Sequence, residues 1–456
     1  MLQHRFPPNQ SGTGVPHSKS GVKPPYSIFS ETAPTPFPQE PPGAKCSPSL
    51  RQDTRPGRPD EAGHLVAPGS PAYNWRPMRL LFALLDHPPV PGGMSRYYGE
   101  LLRRLPPDEV VVLTLQDARP PDAPYRVVPV SLPRRGAFSL LRYPRWWRTF
   151  GHALKAYRPC GLMLGHLGLG KVRGPARRLP YGLFVHGLDV LHEWKKARPW
   201  KHLRLHRLFR HARLVVTNSQ ATRQMLQRLN LLSVPSVVIY PGVDPRVFRP
   251  LDTPPEELRR VLGLPTSGFL VLFLGRPVRR KGLHLLLQVL PHLPREIHLV
   301  VAGAGDFSAY RQQARALGLG NRVSFLGPVP EERLVPLYNA TDLLAMPVVS
   351  QPHDMEGFGI VYLEANACER PVLGSRSGGV PEAVAHGKTG WLVPPDDPQA
   401  LQEALLKLYQ DPDLRTRLGR AGRERVLRSF TWDLQARRLR DAYRQYLCPE
   451  PPGAAK

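Results

Sequence analysis

What most limits the folds open to this chain is a pattern that runs through it twice. Short apolar runs of buried-strand length alternate with amphipathic stretches, first as "LLFALLD", "EVVVLTL", "GLMLGH", "YGLFVHG", "RLVVTNS" and "SVVIYPG". After "VDPRVFRPLDTPPEELRRVLGLPTSG" the series restarts with "FLVLFLGR", "EIHLVVAG", "RVSFLG", "DLLAMPV", "RPVLGS" and "TGWLVP". Strands that alternate with helices build a parallel sheet covered on both faces, since each crossover must pack back on the sheet it joins. Two series predict two doubly wound α/β domains, 78–250 and 251–425, with an Arg-rich closing helix, 426–447, crossing back to the first. At 456 residues the chain exceeds one comfortable core, and 41% hydrophobic content suffices for two. Ligand is expected in a cleft between the domains, beyond the carboxyl ends of the strands.

Residues 1–77 differ in kind. Stretches such as "FPPNQSGTG" and "ETAPTPFPQEPPGAK" are dense in Pro, Ser and Gly, carry neither period, and read as disordered. Met78 stands at the border, so the extension is either a regulatory tail or the result of a start assigned too far upstream. The formal charge of +27 implies an anionic partner: nucleic acid, an anionic membrane or a phosphorylated small molecule. Cys46, Cys160, Cys368 and Cys448 lie far apart with no C-x-x-C pair, which suggests neither a zinc site nor a disulfide framework and fits a reducing cytosol. With no run of about eighteen apolar residues and no charged-then-apolar leader, the expectation is a protein neither integral to a membrane nor exported.

Chemistry concentrates in "EGFGIVYLE". A helix is expected from near Phe358, with Glu356 in the loop before it and Glu364 nearly two turns inside. A helix start offers unpaired N–H groups and partial positive charge, and Gly357 and Gly359 let an anion approach the backbone closely. Carboxylates accept from hydroxyls, so a polyol carrying a diphosphate would satisfy both halves of the site. A capping acid and a solvated helix face would produce the same pair.

"EGFGIVYLEANACERPVLGSRSGGVPEAVAHGKTGWLVPPDDPQAL" closely resembles the C-terminal signature of family-4 retaining glycosyltransferases, which have the GT-B fold of two facing Rossmann-like domains. "PGG", "FVHGLD", "VTNSQATRQML", "VIYPGVDPRVFRP" and "FLGRPVRRKG" match in order, across residues 78–447. "EGFGIVYLEANA" is similar to bacterial mannosyltransferases that act on phosphatidylinositol lipids. The resemblance implies hexose transfer from a nucleotide-diphosphate sugar (GDP-mannose or a UDP-sugar) to a hydroxyl of a membrane lipid or cell-envelope glycan, the first domain taking the acceptor and the second the donor. It assigns Arg276 and Lys281 to the donor diphosphate, next to Gly275, and the Gly92–Gly93 turn to the same phosphates. Glu364 would accept the ribose hydroxyls and Glu356 would face the donor sugar, with the backbone of Gly357, Phe358 and Gly359 completing the cradle. His186 would contact the sugar from the acceptor side, while Asp189 either joins it or caps the next helix. Arg279 and Arg280 receive no role and are expected to be exposed.

For retention, same-face substitution is favoured over an enzyme nucleophile, because no carboxylate is placed beneath the anomeric carbon. The one D-x-D string, Asp411–Asp413, contains Pro412 and reads as a helix start, so neither a catalytic metal nor a cofactor is expected. Residues 133–157 and "WKKARPWKHLRLHRLFRHARL" mix cations with aromatics. They point to an anionic membrane surface, and hence to a cytoplasmic enzyme held at the inner face of the plasma membrane, more than to a solvated face or to nucleic acid, for which no binding module is present. A non-catalytic sugar-nucleotide binder and a GT-B epimerase are the alternatives. The signature's intact acids and cations disfavour the first, and its full order disfavours the second.

Overall fold

A computed structural model describes residues 79–449 apart from 91, 116–122, 131–141, 173–175, 177, 196–198 and 352–353. The extension 1–77 and residues 133–141 of the first basic segment lie outside the described residues.

The first half runs β1 (Leu80–Ala83), α1 (Gly93–Leu102), β2 (Val110–Leu115), β3 (Arg126–Val130), α2 (Arg142–Tyr157), β4 (Gly161–Leu164) and β5 (Tyr181–Val185). It continues through α3 (Leu188–Lys195), α4 (Pro199–Arg210), β6 (Leu214–Thr217), α5 (Gln220–Arg228) and β7 (Ser236–Val238). Among the described residues these strands form one parallel sheet in the order β3-β2-β1-β4-β5-β6-β7. β1, β4, β5 and β6 are buried along their whole length, which is why they read as unbroken apolar runs rather than alternating ones. β3 has no counterpart in the sequence reading. It is a half-exposed edge strand with Pro129 inside it, a residue that only an edge tolerates.

The second half runs α6 (Pro255–Leu262), β8 (Phe269–Leu274), α7 (Leu283–Val289), β9 (Ile297–Ala302), α8 (Ser308–Ala316), β10 (Val323–Gly327), α9 (Glu331–Ala340) and β11 (Leu343–Met346). Then come α10 (Ile360–Ala367), β12 (Val372–Ser375), α11 (Val380–Ala383), β13 (Trp391–Val393), α12 (Pro398–Gln410), α13 (Pro412–Ser429) and α14 (Trp432–Tyr446). Its strands form a second parallel sheet, β10-β9-β8-β11-β12-β13. Each sheet reverses its winding once, between β1 and β4 and between β8 and β11. Loops leaving those strands diverge and open a crevice.

The closing segment is two helices, not one. The chain breaks at Phe430–Thr431, where the Thr431 hydroxyl caps α14 by accepting from the Leu434 N–H at 3.3 Å. Past the break, Trp432, Ala436, Leu439 and Tyr443 enter the core of the first sheet beside Leu80, Phe82 and Leu214. Gly242 makes that approach possible, because a Cβ there would lie 2.7 Å from the Trp432 nitrogen. Glu109, in the turn before β2, accepts from the Tyr443 hydroxyl at 2.5 Å and from Arg440 Nε at 3.0 Å.

The expectation of no disulfide is overturned. Cys160, just before β4, is bonded to Cys448, just after α14, with Cα atoms 5.4 Å apart and 288 positions between them. The return of α14 brings together two thiols that sequence spacing could not relate. Cys368 is buried and free. Asp411 caps α13 by accepting from the Leu414 N–H at 2.8 Å, with Pro412 at its first position.

Candidate active site

Four loops at the carboxyl ends of β1, β5, β8 and β11 supply the residues singled out above. After β11 an isolated bridge pairs Gln351 with Asp354, and α10 begins at Ile360, with Gly359 before it at φ 85°, a left-handed conformation that favours glycine. Glu364 is thus the fifth residue of α10, little more than one turn inside it.

Glu356 is 8% exposed. Lys281 Nζ lies 2.6 Å from its Oε2, and Arg280 Nη1 donates to the same oxygen. Burial alone would raise the carboxyl's pKa, but Lys281 and Arg280 outweigh it and hold it below the ordinary value. Burial lowers the Lys281 ammonium against the pull of Glu356. Arg280 also pairs with Asp354, Nε to Oδ1 at 2.8 Å. This corrects the expectation for Arg280, which is buried at 5% and bridges two acids, while Arg276 and Arg279 are exposed. Four basic residues in six positions gave no way to single out the inward one.

The loop's glycines are spatial necessities. A Cβ on Gly357 would lie 2.7 Å from Asn218 Nδ2 and 3.0 Å from the His186 carbonyl, so this loop abuts the ends of β5 and β6 on the other domain. Gly378 and Gly379 pack their Cα atoms against the Glu356 and Gly357 carbonyls, and the Gly379 N–H donates to Glu356 O at 2.9 Å. These two were missed, although "SGG" before a helix is a readable turn signal. Phe358 anchors the loop between Tyr240 and Phe430, ring centroids 5.3 and 5.8 Å away. Gly275 faces only the Lys281 side chain, at 3.8 Å.

Glu364 is 2% exposed, and both its oxygens are engaged. Oε2 accepts from the Tyr338 hydroxyl at 2.7 Å, and Oε1 from Arg96 Nη1 at 2.8 Å across the cleft. Arg96 had no place in the sequence reading. It lies in α1, three residues past Gly93, at whose Cβ position, as at that of Gly92, nothing lies within 4 Å.

His186 Nε2 is 2.8 Å from the Tyr98 hydroxyl. Burial, with His166 nearby, lowers its pKa to about 4, so the ring is neutral near pH 7. Asp189, the second residue of α3, accepts at Oδ1 from the His186 and Val190 N–H groups at 3.2 and 3.0 Å.

Two parallel-sheet domains whose switch-point loops meet across one cleft define the GT-B class. The sucrose-phosphate synthase of Thermosynechococcus elongatus superposes with TM-score 0.68 at 25% identity, over 81% of this chain and 98% of that one. Anabaena HepE in complex with UDP and glucose superposes with TM-score 0.68 at 22% identity, over 81% and 100%, which shows the shared fold. Residues 91–247 match the family model described as Glycosyltransferase Family 4, and residues 255–425 the one described as Glycosyl transferases group 1. The GDP-mannose-dependent alpha-(1-6)-phosphatidylinositol monomannoside mannosyltransferase of Mycolicibacterium smegmatis is 31% identical over 383 residues, 79% of this chain and 97% of that protein. The D-inositol 3-phosphate glycosyltransferase of Corynebacterium urealyticum is 37% identical over 221 residues, 45% of this chain, and the chain spans about half (50%) of that relative's length. The protein belongs to glycosyltransferase family 4.

Proposed function

We propose that the protein is a retaining glycosyltransferase that moves a hexose from a nucleotide-diphosphate sugar to a hydroxyl of a lipid or envelope glycan. The observation that carries this reading is the buried Glu356, clasped by Lys281 and Arg280 where the loops after β8 and β11 meet. Fixed cations beside a fixed carboxylate suit a reaction in which charge grows on a departing diphosphate while a sugar stays in place. The second domain, 251–425, takes the donor: Arg276, Lys281 and the Gly92–Gly93 turn meet the diphosphate, and Glu364 meets the ribose. Glu356 and His186 position the sugar, and the first domain, 78–250, receives the acceptor. On the same face of the sugar, the bond from anomeric carbon to phosphate oxygen breaks, the acceptor oxygen bonds to that carbon, and its proton passes to the departing phosphate. Protein cations stand in for a metal. The relatives' printed substrates favour an inositol-containing acceptor, and the name of the mannosyltransferase favours a phosphatidylinositol lipid with GDP-mannose as donor.

Purified protein with UDP-, GDP- and ADP-sugars, with and without lipid extract, tests this. Nucleotide release with one donor, increased by lipid, is the expected result. Tight nucleotide binding with no release from any donor would favour a non-catalytic binder.

Attachment to an anionic membrane surface is proposed for the first domain. Among the described residues no helix is long and apolar enough to cross a membrane. On α4, Trp200 and Leu203 are 48% and 52% exposed, and Lys201 and Arg204 lie against the Trp200 ring at 5.6 and 4.9 Å. Beside it is a cavity of about 630 Å³ lined by Leu167, Tyr181, Arg204 and Leu208 among others. An exposed indole among cations suits an anionic interface. Flotation with anionic but not neutral vesicles is the expected outcome, and equal flotation with neither would overturn it.

A further inference from the structure

Arg96 is fixed to the glycine turn of one domain and bonded to a buried acid of the other. Its N–H closes the first helical bond of α1, donating to the Gly92 carbonyl at 3.1 Å. Its guanidinium lies over the Phe248 ring at 5.1 Å, with Nη1 2.8 Å from Glu364 Oε1 and Nη2 3.7 Å from Glu331. Its Nε is buried and has no hydrogen-bond partner among the described residues, so one donor is left over beside the cleft.

We infer that Arg96 is a positioning residue that acts through Glu364, linking nucleotide binding on the second domain to the approach of the first. The inference rests on the reading that Glu364 accepts the donor's ribose hydroxyls.

A carboxylate offers about four acceptor sites. Arg96 and Tyr338 use two, and the rest suit the two neighbouring hydroxyls of a ribose. The 2.8 Å bond from Arg96 holds Oε1 from across the cleft and so fixes how the carboxylate presents its remaining acceptor sites. The other ionisable side chains facing Glu364 are Tyr338 on α9 and Cys368 just past the end of α10, neither of which brings positive charge. Arg370 and Arg423 bear on Cys368, and Glu331 shares Arg96. Opening the cleft parts Arg96 from Glu364 and weakens the ribose site. By reciprocity, a ribose bound there favours the closed arrangement and brings the Gly92–Gly93 turn toward the diphosphate.

The experiment compares wild type, Arg96→Ala, Arg96→Lys and Glu364→Gln by steady-state kinetics with the active sugar nucleotide and by calorimetry with its nucleoside diphosphate. Arg96→Gln, which keeps contact with Phe248, serves if Arg96→Ala does not fold. Arg96→Ala should raise donor KM about 10- to 100-fold, the scale of a charged hydrogen bond, with a smaller change in kcat. Its nucleotide affinity should fall by a like factor, and Arg96→Lys should restore part of both. Arg96→Ala with wild-type KM and wild-type nucleotide affinity overturns the inference while leaving the ribose reading intact, provided that Glu364→Gln weakens nucleotide binding. Normal binding by Glu364→Gln overturns the ribose reading and the inference with it.

Discussion

In the second domain, the loops after β8 and β11 are tied together by charge: Glu356 with Lys281 and Arg280, Arg280 with Asp354. Glycines at 378 and 379 then clamp the loop backbone from behind. In the first domain, the loop after β5 is held by single hydrogen bonds, with Asp189 accepting from the His186 N–H. His186 shares a hydrogen bond with Tyr98, and Gly92 and Gly93 face open space. The two sheets share one winding plan, so the difference lies wholly in the loops. A diphosphate brings charge that must be met by groups already in place, and the domain proposed to bind it has spent desolvation on holding them there. The domain proposed to receive the acceptor reaches the cleft with the neutral His186 ring, the open Gly92–Gly93 turn and Arg96, whose charge is paired with Glu364 of the other domain.

The largest effect expected from this contrast comes from breaking the charged cluster. Glu356→Leu leaves Lys281 and Arg280 buried without a shared acid, and should cost about 3–5 kcal/mol in urea titration. A loss below about 1 kcal/mol would mean that solvent, not Glu356, compensates the two cations. Glu356→Gln keeps the shape and should chiefly lower turnover while nucleoside diphosphate still binds.

A smaller contrast lies in the glycines. Gly379→Ala drives a Cβ into the Gly357 carbonyl and should cost about 1–3 kcal/mol, whereas Gly93→Ala meets nothing within 4 Å and should be nearly neutral for stability while weakening the donor. Equal stability losses would erase the distinction between a clamped loop and an open one.

Acid should act on His186 of the first domain before it reaches Glu356 of the second. His186 falls from 6.5 to about 4 on folding, so the unfolded chain binds a proton that the folded one refuses. Its contribution is full above 6.5 and lost as pH falls toward 4. Glu356, held below 4.5, loses its contribution only beneath that value. Asp189, raised by burial, opposes His186 at the lower end. Urea midpoints between pH 6.5 and 4.5 should therefore slope in wild type and slope less in His186→Gln, the remainder coming from His284, His298 and His386, which burial also lowers. A slope unchanged by that substitution would place the sensitivity elsewhere.

The smallest effect expected is none. A chelator should leave sugar transfer unchanged if Arg276 and Lys281 serve the diphosphate, and a strict requirement for added Mn²⁺ or Mg²⁺ would remove that role from them.

Buried strands were easy to read because burial on both faces leaves continuous apolar runs, as in "LLFA" and "FLVLFL". β3 escaped because an edge strand is only half buried and Pro129 breaks its pattern. The break at Phe430–Thr431 was hidden by uniform helical composition on both sides, though Thr431 is an ordinary cap. At the site, glycines and acids carried a spacing that sequence shows, whereas Arg96 and Arg280 are set apart from their basic neighbours only by what lies across space from them. The Cys160–Cys448 bond belongs to the same class, since pairing depends on a tertiary return and not on spacing.

That return has a consequence for how the molecule is made. Synthesis is vectorial, and the first domain's sheet emerges long before Trp432, Leu439 and Tyr443, which complete its core. The second domain can consolidate on the ribosome as its own strands appear, but the first must wait, partly uncovered, until the final helix is released. Cutting the chain near residue 250 to exchange domains between relatives would therefore separate the first domain from a part of itself. A working chimera needs two junctions, the second within the few residues around Phe430 where the chain crosses back.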